Sequence, residues 1–437
     1  MKTIASAAVA ALFAVGACQG SLAFDKSTQY GPDPQLPEPS RGLLPNVHIV
    51  KAAGWAQGQT PTVPAGFHVE ALATGLSNPR NVLPLPNGDV LVVESKNTAK
   101  EPVERPKRPV IGFMISRAHG KDAGPSNRVL LLRDTNGDGK VDATSVLIDQ
   151  LTAPFGIAQI SGNLYVANTD AILRFPFKPG DTAVGGPAQK VVDLPAGPIN
   201  HHWTKSLAAS ADGSKLYVGV GSNSNAMERG VMAEDGRAAI WEVDVASGAH
   251  QVFASGLRNP NGLTFYPGSD VLWAVVNERD ELGPDLVPDY MTSVKRGAFY
   301  GWPYSFWGQH VDQRVRPQKP ELVKAAIKPD YGLSSHVAPL GLAFYTGDSF
   351  PASYRGGAFV AEHGSWNRPE LNGYRVVFIR FENGRPVGNP VDFVTDFVKS
   401  DRARGRPVSV AMDRTGALLI ADDVGNTVWR VSPSSAR

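Results

Sequence analysis

Asp134-Thr135-Asn136-Gly137-Asp138-Gly139-Lys140-Val141-Asp142 places oxygen-bearing side chains at alternate positions around two glycines. A hard cation that takes about six to eight oxygens is wrapped by such a loop. Asp134, Asn136, Asp138, Lys140 and Asp142 are therefore candidate residues of a calcium loop. Ser145 stands where a helix-flanked loop carries its bidentate glutamate, and the flanks NRVLLLR and SVLIDQL read as strands. The loop is expected to join a β-hairpin and to make it rigid; an Asp/Asn/Gly hairpin without metal is the alternative.

A second group carries acid–base and anion chemistry. His201-His202 offers the usual general base near neutral pH. Neighbours on a strand face opposite ways, so one of the two is expected in a shared pocket and a metal held by both is not. Arg258-Asn259, His336 and Arg404-Gly405-Arg406 complete the group. Unpaired charges in a channel are costly, and guanidinium forks match carboxylates. Converging arginines thus point to a bound anion, unless acidic residues such as Glu94 or Asp422 pair with them.

These residues stand at the head of a repeated pattern: apolar strand, glycine-containing turn, apolar strand. Its copies run Asn78–Ser95, Ala153–Asp170, His201–Gly221, Asn259–Glu278, Val337–Phe350 and Gly405–Asp423. Repeats of this kind are the mark of propeller blades. The expected fold is all-β, a six-bladed β-propeller over residues 65–434. Inner strands line the channel of a propeller, so the residues that lead each copy are expected to share one pocket. Phe67–Leu76 alternates like a strand, and its pairing with Thr427–Val431 would remove two open edges. Lys96–Asn127 and Gly283–Gly308 read as long excursions, the second a packed lip over the channel mouth. Residues 24–64, rich in proline, read as an extended arm that lies on the surface or tethers the domain.

The formal net charge of +2 argues against a nucleic-acid binder. Lys2 followed by the apolar run Ile4–Gly16 reads as an export signal over residues 1–23, too short to span a bilayer. Val15-Gly16-Ala17-Cys18 resembles a lipobox, which would lipidate Cys18, the sole cysteine; Ser21-Leu22-Ala23 offers an ordinary cleavage site instead. The expected address is periplasmic or secreted, with a lipid anchor as one option.

HHWTKSL, GLRNPNGLTF, YGWP, HVAPLGLAFY and RGRPVSVAMD with TGALLIADD occur in this order. The sequence thereby resembles the quinoprotein sugar dehydrogenases, in particular the soluble glucose and aldose dehydrogenases and the sorbosone dehydrogenase-like proteins, over about Pro64–Val431. The resemblance implies pyrroloquinoline quinone above a calcium ion, a sugar, sugar-aldehyde or polyol substrate, and a periplasmic electron acceptor, either a cytochrome or a membrane quinone. It also implies roles. His202 would take the hydroxyl proton. Arg258, Asn259, Arg368, Arg404 and Arg406 would hold the cofactor. His201, Trp203 and His336 would face the substrate, and the carbonyls of Arg279 and Asp280, or the Asp280 carboxylate, would serve the channel calcium. The sequence departs from the family pattern at His201, at Lys205-Ser206 and at Asn277–Asp280, where an E-x-G-P turn is usual. Two rival functions remain: a calcium-dependent lactonase, which needs acidic and Asn ligands in the channel, and a non-catalytic binding propeller.

Overall fold

The structure, a computed structural model, describes residues 24–40, 47–97 and 124–434. The export signal with Cys18 and most of the Lys96–Asn127 excursion lie outside the described residues.

Short aliphatic runs such as VLVVE and RVLLLR are too brief for helices and rich in β-formers. They fold as central strands: every residue of Val90–Glu94, Leu272–Val276, Ala358–Glu362 and Leu418–Asp422 is buried. Among the described residues six antiparallel sheets of four or five strands follow one another, and helix is nearly absent. Their first strands are Pro79–Pro84, Gly156–Ile160, Leu207–Ala209, Pro260–Phe265, Pro339–Phe344 and Pro407–Met412. Each first strand packs on the next, and the sixth returns to the first, in a propeller-like arrangement. Apolar clusters fill every gap between neighbouring sheets. One example is Leu91, Val93, Ile157 and Val166 between the first two sheets; another is Val82, Val92, Leu419 and Val428 between the sixth and the first. Phe67–Ala73 pairs antiparallel with Thr427–Pro433, as its alternation predicts, and so becomes the outer strand of the sixth sheet.

Five sequence copies supply the first two strands of their sheets. The Val337–Phe350 copy supplies only the first; the second strand, Ala358–Glu362, lies beyond a short turn at Ala352–Tyr354. Two expectations need correction. Pro288–Ser293, inside the second excursion, is the third strand of the fourth sheet, and the packed loop begins after it, with Trp302, Tyr304, Phe306 and Trp307 buried. The proline-rich arm is not merely superficial. Tyr30–Gly31 adds a fifth strand to the fourth sheet, and Lys51–Ala52 pairs with Arg402–Ala403.

The axis is divided into two levels. Asn81 donates to the Phe155 carbonyl and Ser409 to Asn81, while Thr204 and Ser206 donate to Asn261. Phe155, Leu340 and Val408 form an apolar plug beside this polar belt. A cavity of about 400 Å³ has the belt residues Asn81, Ser206 and Ser409 at one end. It is walled by later residues of the first strands, among them Leu83, Ile157, Leu263, Leu342 and Val410, and among the described residues no charged side chain lines it. The charged residues gather at the leading ends of the same strands.

Candidate functional site

Two kinds of segment build the site. One is the leading end of each first strand, where Arg80, His202, Arg258, His336 and Arg406 stand. The other is the loop from second to third strand, which an antiparallel hairpin returns to the same end. These loops supply Asn225 in the third sheet, Asp280 in the fourth, His363 and Asn367 in the fifth and Asp423 in the sixth.

His201 and His202 precede the strand Leu207–Ala209 rather than lying in it, so strand alternation does not separate them. Their rings meet edge to face at 4.7 Å. His201 is exposed, whereas His202 retains part of its residue surface while its ring is enclosed by the surrounding chain. His202 Nδ1 lies 2.7 Å from the Ser222 carbonyl. A carbonyl only accepts, so Nδ1 carries the proton and Nε2 is left as the basic nitrogen. Burial, then the charge of Arg258, push its pKa well below the ordinary histidine value, so the ring is neutral at pH 7. Gly221 makes room for this arrangement: a Cβ there would overlap both His202 and Asn259.

Arg258 donates to the Asn225, Asn277 and Glu278 carbonyls and to Asn225 Oδ1, and stands 3.5 Å from Asp280. Its charge is thus met from within the chain. Asn225 also accepts from the Asp280 amide and donates to the Asp280 carbonyl. Asp280 accepts from Asn367 at 2.6 Å, and Asn367 reaches His336 Nδ1 at 3.0 Å. With Nδ1 accepting, His336 Nε2 donates to the Gly283 carbonyl at 3.1 Å. Both ring nitrogens are taken, so His336 is a wall of the site and not its base. Arg368 donates to Asp285 and Ser335.

Arg404 and Arg406 part company. Arg406 is buried, reaches the Tyr374 hydroxyl at 2.9 Å and lies over that ring. Arg404 turns to the Asp396 carbonyl and packs 4.7 Å over Trp55 of the arm. A Cβ on the intervening Gly405 would collide with the Asp422 carboxylate. The acidic partners considered from sequence are engaged elsewhere: Glu94 holds Arg128, and Asp422 accepts the Arg406 backbone N–H together with the indoles of Trp55 and Trp429. Burial pushes Asp422 up to about 7.

A further group escaped sequence reasoning. His363 Nε2 lies 3.0 Å from Asp423, which also pairs with Arg80, and Arg80 lies 5.5 Å over Trp203. Arg80 leads the first copy as Arg258 leads the fourth, and that likeness was the available signal. His363 and Asp423 follow the second strands of their sheets, where only the returning hairpin identifies them. Burial lowers His363 to about 4. Between that value and the ordinary 6.5 the unfolded chain takes a proton that the fold refuses. The corresponding stability, about 3 kcal/mol, is present above pH 6.5 and lost as pH falls toward 4. Thermal melting of the apoprotein is expected to fall less steeply over this interval in His363→Gln; an unchanged slope would place the acid sensitivity elsewhere.

The two metal expectations fare differently from the anion site. Arg279 is fully buried against Glu278 and Asp312, and Asp280 is already engaged by Asn367 and Arg258. In the Asp134–Asp142 loop the side chains close the hairpin themselves. Asp134 accepts from Gly137 and Gly139, Asp138 from Lys140, and Asp142 from Thr135. Among the described residues no group of three or more His, Cys, Asp or Glu is arranged to hold a metal ion.

An organic anion fits better. Arg80 Nε, Arg368 Nε, Arg406 Nε and Asn259 Oδ1 are buried without a hydrogen-bond partner. Such groups are costly to leave unmet; a ligand bearing several carboxylates or carbonyls would meet the three guanidinium N–H groups, and an N–H or hydroxyl of the ligand would meet the Asn259 oxygen.

Residues 165–428 match the family model described as glucose / sorbosone dehydrogenase. An uncharacterized protein of Borreliella burgdorferi is 31% identical over 241 residues, 54% of this chain and 62% of its own length. The aldose sugar dehydrogenase YliI of Escherichia coli is 33% identical over 107 residues, 24% of this chain and 27% of its own length. The matched part of the chain therefore spans less than two thirds of either relative. Among solved structures, the holo form of the pyranose dehydrogenase PQQ domain from Coprinopsis cinerea superposes with a TM-score of 0.67 at 19% identity, covering 88% of this chain and 100% of that one.

Proposed function

Because this chain belongs to the glucose / sorbosone dehydrogenase family, we propose that it is an exported quinoprotein dehydrogenase on a six-bladed propeller, oxidising a sugar, sugar aldehyde or polyol. The observation that carries this reading is the set of unmet buried groups on Arg80, Asn259 and Arg406, near the leading ends of first strands, and on Arg368, in a loop after a second strand, together with a neutral histidine that has a free basic nitrogen. The name of the Coprinopsis structure, a PQQ domain, supports pyrroloquinoline quinone as the ligand.

Arg406, Arg368 and Asn259 would hold the cofactor, with Arg80 beside them. When bound, the quinone supplies the acceptor for two electrons and a proton, released as hydride from the substrate carbon. His202 Nε2 takes the hydroxyl proton, and the Ser222 carbonyl holds its ring in the required tautomer. Trp203 and His336 wall the substrate. Asp280 does not fit a channel calcium with its present partners, and no step here depends on one. Electrons would pass on to a periplasmic cytochrome or membrane quinone.

The test is a spectroscopic titration of purified apoprotein with pyrroloquinoline quinone, followed by dye reduction with a panel of sugars. Saturable binding with sugar-dependent dye reduction is expected. Absence of binding would overturn the reading.

Calcium at the hairpin loop is a separate part of the proposal. Ligand bound only to the native state at about a hundredfold over its Kd adds about 2.7 kcal/mol. The wild-type protein is expected to melt higher in calcium than in chelator, and Asp138→Ala to lose that difference while keeping its activity. Equal melting of the wild type in both would leave the metal-free hairpin.

A further inference from the structure

Gln29 belongs to the N-terminal arm, outside the residues that match the family model, yet it is 0% exposed. The strand Tyr30–Gly31 next to it pairs with Leu333 and Gly332 and delivers its side chain beneath the turn after Tyr331–Ser335. Three donors converge on the Gln29 amide oxygen: Ser334 Oγ at 3.1 Å, the Ser335 backbone N–H at 3.1 Å and Ser335 Oγ at 3.0 Å. Its amide nitrogen donates to the Asp285 carbonyl.

Both ends of this amide touch residues that hold Arg368. Ser335 accepts from Arg368 Nη1 through its carbonyl and its hydroxyl, each at 3.2 Å, and the Asp285 carboxylate accepts from Nη2 at 2.8 Å. The same turn is strained. Ser334, His336 and Ala338 have φ of 72°, 60° and 52°, in the left-handed region that side chains other than glycine avoid. Such backbone persists only where its surroundings over-determine it. Gln29 supplies that constraint from a segment more than three hundred residues away in sequence.

We propose that the N-terminal arm completes the site, with Gln29 as a positioning residue for Arg368 and for the turn that presents His336. The proposal rests on the reading of Arg368 as a cofactor-holding residue. Gln29→Leu keeps the bulk and deletes both amide functions. Gln29→Glu keeps the acceptor for Ser334 and Ser335 and, when ionised, replaces the donor to Asp285 with a negatively charged oxygen, and it carries the same two measurements if the leucine variant does not fold.

Two measurements decide the matter. In the apoprotein, hydrogen exchange of the 331–338 segment is expected to accelerate in Gln29→Leu while strands of the first and second sheets stay protected. In titrations with pyrroloquinoline quinone, Gln29→Leu is expected to weaken Kd about tenfold, the scale of losing an outer support of a ligand-holding group. In an Arg368→Ala background it should weaken Kd no further, because a residue acting through another shows no additive effect. Unchanged exchange of the 331–338 segment would overturn the proposal, and so would an equal loss of affinity in the two backgrounds. If even the parent protein failed to bind the quinone, the cofactor reading would fall, and the exchange experiment would still decide what the arm does for the turn.

Discussion

His202→Ala is expected to lower sugar-dependent dye reduction by about 10²–10⁴-fold, the usual loss when a general base is removed, with cofactor affinity nearly intact. His202 Nδ1 faces the Ser222 carbonyl, so the base acts through Nε2. Its pKa lies well below 6.5 because the ring is buried and Arg258 is near. The neutral form is the active one, so the acid limb of the rate profile is expected well below pH 6.5, with a plateau above it. His201→Ala serves as the control. It removes an exposed ring that packs on His202 and should leave most of the rate. Full turnover by His202→Ala together with an inactive His201→Ala would move the base by one residue.

Arg406→Ala carries the second large effect. Arg406 is buried with Nε unmet and is held by one hydrogen bond to Tyr374 and by the face of its ring. Loss of its charge-assisted contact to a carboxylate should cost about 1.5–3 kcal/mol of cofactor binding, or roughly 10–150-fold in Kd. Turnover by the protein that remains loaded should change much less. Arg404→Ala, although only two residues away, is expected to leave the titration curve in place and to lower the melting temperature instead, because its guanidinium is spent on Asp396 and Trp55. Equal losses of affinity in the two variants would show that Arg404 swings into the site when the cofactor binds. An unchanged curve for Arg406→Ala would remove the anion site from this end of the channel.

The difference between these two arginines shows how far sequence reasoning reaches. The R-x-R spacing suggests two equivalent grips, and nothing in the spacing tells them apart. The fold does so by placing Asp422 against Gly405 and Trp55 beneath Arg404. Arg279 follows the second strand of its sheet, and only the fold shows that its guanidinium is spent on Asp312 of the packed loop while the Asp280 carbonyl accepts from Asn225 and Arg314.

The sequence by itself determined the succession of sheets and pointed to the strand ends at which the candidate site residues gather. Strand length, apolar alternation and turn glycines are local properties, and a recurring local unit must bury its faces against its neighbours. His202, Arg258, Asn259, His336 and Arg406 were legible because each leads a first strand. Only the tertiary structure decided which charges are spent and which remain unmet. It turned Arg404 outward, tied up both nitrogens of His336, and brought His363 to Asp423 and Arg80 from three different sheets. It also seated Gln29 beneath the Ser334–Ala338 turn. The physical reason is that hydrogen bonds and ion pairs between segments far apart in sequence depend on how neighbouring sheets are juxtaposed, and no local pattern of residues encodes that juxtaposition.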